Sequence, residues 1–187
     1  MTMLALLRHG ETAWSAAGRI QGRTDVSLLP GISVQLPKIC HGMRIVTSPL
    51  ARCVETAALL GAPDAAREPR IIEMHWGDWE GESFVALRER LGETMRENEA
   101  RGLDFRPAKG ESPREVGLRV KSWLRDIARE GLPTLAVTHR GVIRAVLAAA
   151  FGWDMRGKPP AKPEWDAVHL FELDESGAVR VQRLNVK

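Results

Sequence analysis

The chain has 187 residues, of which 44% are hydrophobic, enough for the core of one soluble globular domain. A formal charge of +3, with 21 arginines against six lysines and no basic run interleaved with aromatic residues, speaks for anionic small molecules rather than nucleic acid. Two cysteines, Cys40 and Cys53, lack C-x-x-C spacing and any dense disulfide pattern, so reduced thiols in a cytoplasmic protein are expected.

Met1 to Leu7 is apolar but has no basic flank, and the longest later apolar run, Ala145 to Phe151, is short. Neither a signal peptide nor a membrane span is expected. Met3 to Arg8 reads instead as a short buried strand that stops at Arg8-His9-Gly10, either a satisfied turn or half of an anion site. Arg44 to Thr47 reads as a second strand, and Ser48-Pro49 then supplies an N-cap and first-turn proline for a helix to about Leu60, closed by Gly61.

Arg67 to Glu82 and Arg96 to Glu111 are read as long loops, with a short helix from Ser83 to Leu91 between them. The clearest helix is Pro113 to Glu130, where Val116, Val120, Trp123, Leu124 and Ile127 share one face. Ser112 and Glu115 form its capping box, and Gly131 with Pro133 ends it. Thr134 to Thr138 is a third strand, Val142 to Phe151 a further helix, and the tail a hairpin around Glu175-Ser176-Gly177. Strands alternating with helices predict a single three-layer α/β/α domain whose sheet is mainly parallel with an antiparallel edge strand.

In such a sheet, ligands gather at the carboxyl ends of the strands. His9, Arg52 and His139 each lie just beyond a predicted strand, and Arg8 adds a fourth group to the same side. A lone histidine at a strand end is ordinarily structural. Two arginines and two histidines from three junctions suit a phosphoryl group, because guanidinium forks bind its oxygens in pairs.

The segments "LLRHGETAWS", "GRIQGRTDVSL", "TSPLARCVETA", "EMHWGDWEG", "GESPREVGLRV" and "VTHRGVIR" together resemble the histidine phosphatase superfamily, the phosphoglycerate mutase-like proteins, in order and over most of the chain. The resemblance implies that His9 is the nucleophile that becomes phosphorylated and that Arg8, Arg52 and His139 bind the phosphoryl oxygens. It also implies that Glu73 is the proton donor, and that Ser15, Gln21 and Gly22 contact substrate or phosphate. An imidazole attacks phosphorus only when neutral, so arginines that depress its pKa help, and its second nitrogen is expected to donate to a backbone carbonyl. Glu73 must give a proton to the ester oxygen and later take one from water, a task that suits a buried carboxyl of raised pKa.

No cofactor or metal is implied. Compact length and the "GDWEG" segment favour the phosphatase branch, including α-ribazole phosphatases, acting on a small-molecule phosphate ester. Phosphoglycerate mutase is the alternative, and a non-catalytic phosphate-binding or interaction module is the alternative from another class. The chain departs from the family at Ser15, where asparagine is usual, and at Arg140, where glycine is common. Arg140 is expected to face solvent rather than to add charge at the pocket rim. Residues 28–43 are short for the family's first long helix, and Pro30 and Pro37 would break it. Trp14, Trp76 and Trp79 are core residues by default and candidates for the pocket wall, whereas His41, His75 and His169 have no metal-ligand spacing.

Overall fold

The computed structural model describes residues 1–187. β1 (Thr2–Arg8) is apolar on both faces because both are covered: Leu4 and Leu6 enter one core, Ala5 and Leu7 the other. The same split recurs on β4 (Thr134–Thr138), where Ala136 faces the first core and Leu135 and Val137 the second. Each such leucine, at no more than 3% exposure, contributes about 1.5–3 kcal/mol to the fold.

With β2 (Arg44–Thr47), β3 (Ala66–Arg67), β5 (Val168–Leu173) and β6 (Val179–Val186), these strands form one sheet in the order β3-β2-β4-β1-β5-β6. β3, β2, β4 and β1 are mutually parallel, and β5 runs antiparallel to both β1 and β6. The antiparallel side is therefore the two-strand tail hairpin, with the reversed strand one place in from the edge. From β1 the chain leaves towards β2, and from β4 it leaves the opposite way, towards β5. A crevice opens at that point of divergence, between the carboxyl ends of β1 and β4. Register places Arg8 opposite Thr138, so His9 and His139 follow side by side.

The helices are α1 (Ala13–Ala16), α2 (Ala51–Leu59), α3 (Phe84–Leu91), α4 (Glu93–Glu99), α5 (Pro113–Glu130) and α6 (Arg140–Phe151). α5 carries the expected capping box and ends at the left-handed Gly131, and its predicted apolar face is buried in the first core. α2 and an extended strap over residues 28–43 cover the second core. Val34, Leu36 and Met43 of that strap pack on it, and only a single turn at Lys38–Cys40 is helical. Pro30 and Pro37 break this segment as expected.

Three expectations are corrected. Ser48 does not cap α2: the cap is Leu50, without a side-chain bond, and Ser48 is buried with its hydroxyl directed elsewhere. The stretch read as a loop from Arg96 lies partly inside α4, whose only buried residue is Met95. α6 starts at Arg140 rather than Val142, which makes His139 its N-cap. No helix is long and apolar enough to cross a membrane.

Candidate active site

Arg8 ends β1 half-buried, and its Nε is buried without a hydrogen-bond partner. Next in the chain, His9 donates its backbone N–H to the Thr138 carbonyl at 3.0 Å, which locks the turn to β4. Its ring Nδ1 lies 2.7 Å from the Gly10 carbonyl, a contact only an Nδ1–H can make, so Nε2 keeps its lone pair. Burial first, and then the charges of Arg8 and Arg52, push the His9 pKa down to about 3. The imidazole is neutral across the physiological range.

Arg52, in the first turn of α2, is fully buried. Its Nη1 donates to the Thr24 carbonyl at 3.0 Å and its Nη2 to the Gly22 carbonyl at 2.7 Å, while its Nε is buried with no partner. Gly22 thus meets the site by anchoring the arginine. A side chain there would also collide with Glu80, since an added Cβ would lie 2.0 Å from Oε1. Thr56 closes a further link: its hydroxyl donates to the Arg52 carbonyl at 2.6 Å and accepts the Gly10 N–H at 2.9 Å.

His139 is wholly buried, and its ring centroid stands 5.3 Å from that of His9. Its Nε2 lies 2.7 Å from the Ser48 hydroxyl and 3.4 Å from Cys53 Sγ. Burial, then Arg52 and His9, hold its pKa well below the ordinary imidazole value. Burial raises the Cys53 thiol, which remains protonated and unpaired.

Glu73 is 8% exposed in the segment after the turn Pro69–Ile71. Its Oε1 accepts the backbone N–H groups of Met74 at 2.8 Å and Gly141 at 3.1 Å. Burial raises its pKa despite those bonds and the nearby Arg52 and Arg119. The Glu73 carbonyl is held from outside by Arg119 Nη2 at 3.2 Å and Arg23 Nε at 3.4 Å, and both arginines pair with Glu111. Glu80 ties the same segment to residues 22–24. It accepts from Trp76 N, Arg23 N and Thr24 N, and from the Thr24 hydroxyl at 2.6 Å. Burial alone would raise its pKa; these bonds overcome it and hold the carboxylate ionised.

The crevice therefore brings together Arg8, His9, Arg52, His139 and Glu73. Ser15 and Gln21 stand apart from them in the hydrogen-bond network. The Ser15 hydroxyl accepts from Thr12 N at 2.9 Å and donates to the Thr12 carbonyl at 3.1 Å, capping α1, and Gln21 Oε1 accepts from the Thr12 hydroxyl at 2.9 Å. Trp76 packs edge-on against Phe84 and Phe105, and Trp79 lies tilted against Phe105 in the core. Arg140 is exposed, but its guanidinium lies 4.6 Å from the centre of the Trp165 ring, and its charge reaches both Arg8 and Glu73. Solvent alone does not describe its surroundings. Thr56, Gly141, Ser48, Arg119 and Glu111 join the site through tertiary contacts. The last two are visible in "GESPREVGLRV" as an acid and a base eight positions apart.

Two buried guanidinium N–H groups without partners, on arginines whose charges act on the His9 ring at the switch point of a mainly parallel sheet, are donors that an anion would satisfy in an α/β protein. The chain belongs to the histidine phosphatase superfamily (branch 1), whose sequence profile matches residues 4–187. It is 31% identical to a metal-independent phosphoserine phosphatase of Arabidopsis thaliana, over 78% of this chain and 67% of that one. It is 29% identical to phosphoserine phosphatase 1 of Hydrogenobacter thermophilus, over 83% and 79% of the two chains. Among solved structures, TTHB049 of Thermus thermophilus superposes over 100% of both chains with a TM-score of 0.72 and 29% identity. The Bacillus stearothermophilus protein YhfR shares the fold with a TM-score of 0.78 at 24% identity, over 100% of this chain and 98% of that one.

Proposed function

We propose that this protein is a cytoplasmic, metal-independent phosphomonoester hydrolase that works through a phosphohistidine intermediate on a small phosphorylated metabolite. The observation that carries the reading is the His9 ring, its Nδ1 committed to the Gly10 carbonyl and its Nε2 free, near Arg8 and Arg52, each of which has a buried Nε without a partner. In the first step the Nε2 lone pair attacks phosphorus, the P–O ester bond breaks, and the departing oxygen takes the proton of Glu73. In the second, the Glu73 carboxylate takes a proton from water, whose oxygen attacks phosphorus as the P–N bond breaks, releasing inorganic phosphate. Arg8, Arg52 and His139 hold the phosphoryl oxygens while charge redistributes. Gly22 supports this set through Arg52, and Ser15 and Gln21 through the turn that follows Gly10.

Relatives named for phosphoserine and, in Mycolicibacterium vanbaalenii, glucosyl-3-phosphoglycerate support a phosphatase acting on small esters. α-Ribazole phosphate belongs in the same substrate panel. The test is hydrolysis of p-nitrophenyl phosphate in the presence of a chelator, with acid-stable and acid-labile protein phosphate separated after rapid quenching. The expected result is turnover, with acid-labile label on the wild type and none on His9→Ala. An inactive wild type, or a His9→Ala protein as fast as wild type, sinks the proposal. Exchange of phosphate between the hydroxyls of a phosphoglycerate, in place of release, would instead identify a mutase.

A further inference from the structure

Beside the phosphate crevice lies a second cavity of about 180 Å³, between α6 and the segment that leads into β5. Leu7 pairs with Val168, so residues 153–167 arrive at the same end of the sheet as Arg8 and His9, on the β5 side. Arg140 and Arg144 line the cavity one helical turn apart. Arg140 lies over Trp165 at 4.6 Å, and Arg144 over Trp153 at 5.5 Å. Neither guanidinium has a carboxylate partner, and Lys162 adds a third charge at the wall.

The cavity is built rather than incidental. Asn185 holds its outer segment with both ends of its side-chain amide: Oδ1 accepts Glu164 N at 2.8 Å and Nδ2 donates to the Lys162 carbonyl at 3.2 Å. Asn185 does so from a left-handed backbone conformation, φ 57°, that asparagine tolerates better than most residues. Trp153 is fixed by its Nε1–H to the Arg156 carbonyl at 3.0 Å. The acids on either side of Trp165, Glu164 and Asp166, are both paired with Lys187 and with neither Arg140 nor Arg144.

From this arrangement we infer that the Arg140–Arg144 cavity is the subsite for the leaving group, and that it selects phosphate monoesters whose alcohol carries a second anionic group, a carboxylate or another phosphate. The inference rests on the hydrolase reading for its connection to catalysis, but the binding preference can be measured without turnover. Arg140 follows His139 directly in the chain and its charge reaches Arg8 and Glu73, so the rim of the cavity stands next to the groups proposed to hold the phosphoryl oxygens, within reach of an ester's alcohol. Ligand pockets for drug-sized molecules occupy ~300–1,000 Å³. A cavity of about 180 Å³ is of the size for a short-chain acid.

The experiment uses three esters: 3-phosphoglycerate, glycerol 3-phosphate, in which the carboxylate becomes a hydroxymethyl group, and glycerol 1,3-bisphosphate. Affinities are taken by calorimetry on full-length His9→Ala protein, with and without Arg140→Gln, Arg140→Lys or Arg144→Gln. Steady-state kinetics on the His9 protein run in parallel. The anionic esters are expected to bind about tenfold or more tightly than glycerol 3-phosphate, the preference falling to about twofold in Arg140→Gln and partly returning in Arg140→Lys. Carboxylate over bisphosphate, or the reverse, tells which anion is read. Equal affinities for all three esters, or a preference unchanged in both glutamine variants, overturns the subsite. Absence of p-nitrophenyl phosphate hydrolysis by wild type overturns the hydrolase reading alone. Arg144→Gln and the lysine variant keep the test open should Arg140→Gln fail to fold.

Discussion

Glu73 and His9 are both buried, and burial moves their pKa values in opposite directions, so they give opposite signs to the pH dependence of stability. His9 drops from 6.5 to about 3 on folding. Below pH 6.5 the unfolded chain binds a proton that the folded one refuses, so this contribution is intact above 6.5 and is lost as pH falls towards 3. Replacing His9 with Gln should flatten the acid side of a plot of melting temperature against pH between 6.5 and 4. An equally steep fall would show that His9 is not the group being titrated. Glu73 is raised above 4.5. Above pH 4.5 the unfolded chain ionises while the folded one resists, so stability is lost as pH rises from 4.5 through the folded pKa. Glu73→Gln is expected to melt higher than wild type at pH 7.5 and level with it near pH 4, while kcat falls by about 10²–10⁴. The same protonated carboxyl predicts that wild-type kcat declines as pH rises through its pKa. A flat profile up to pH 9 would argue against Glu73 as the acid.

The first turn of α6 positions that carboxyl, and its second residue is the most sensitive. A Cβ on Gly141 would sit 2.3 Å from Glu73 Oε1 and 3.3 Å from Met74 Cβ. The nearest atom is the end of a flexible side chain, so Gly141→Ala should fold, helped by alanine's helix propensity of up to about 1 kcal/mol, yet displace Glu73. The expected protein is as heat-stable as wild type with kcat lowered by at least about tenfold, judged by calorimetry beside a phosphatase assay. Gly77→Ala is the contrast. There φ is 54° and the added carbon would meet the Ala108 carbonyl at 2.0 Å, backbone that cannot rotate away, so stability itself should fall by more than about 1 kcal/mol. These glycines also show what the sequence could convey. α5 was legible because propensity, capping box, apolar face and terminal glycine all agree. α4, "ETMRENE", was not, because it buries only Met95 and has no periodicity to see. Ser48 has the right local chemistry for a cap, but its hydroxyl lies against His139, 91 positions away in the chain, a partner no local pattern contains. Arg8, His9, Arg52 and His139 were placed because Arg8 ends a strand and the other three follow one, and strand ends converge in a parallel sheet. The bonds that position Glu73, which it accepts from the Gly141 N–H, Arg119 and Arg23, depend on tertiary packing alone.

Across the whole molecule the positive charge is distributed unevenly. Many surface arginines are paired, as Arg70 is with Glu68 and Asp126 and Arg114 with Asp104, and such exposed pairs add only about 0–1 kcal/mol each. Arg8, Arg52, Arg140 and Arg144, from fully buried Arg52 to exposed Arg140, all have pKa values lowered first by the loss of water around their guanidinium groups, and all lie at one end of the sheet, where Arg140 repels both Arg8 and Arg144. On the proposed reading an anion bound at this end offsets that repulsion, so binding and stability are linked. A ligand at ~100 times its Kd adds about 2.7 kcal/mol, which for a domain of this size raises the melting temperature by about 5–10 °C. Inorganic phosphate should produce that shift, and sodium chloride at matched ionic strength should not, because screening acts on exposed pairs more than on buried guanidinium groups. Arg8 gives the cleanest variant, since Arg52 also anchors the Gly22 and Thr24 carbonyls. Arg8→Gln is expected to melt no lower than wild type without phosphate, because it relieves repulsion, and to lose most of the phosphate-dependent rise. If chloride matches phosphate, or if Arg8→Gln keeps the full shift, the unneutralised arginines are not what holds the anion.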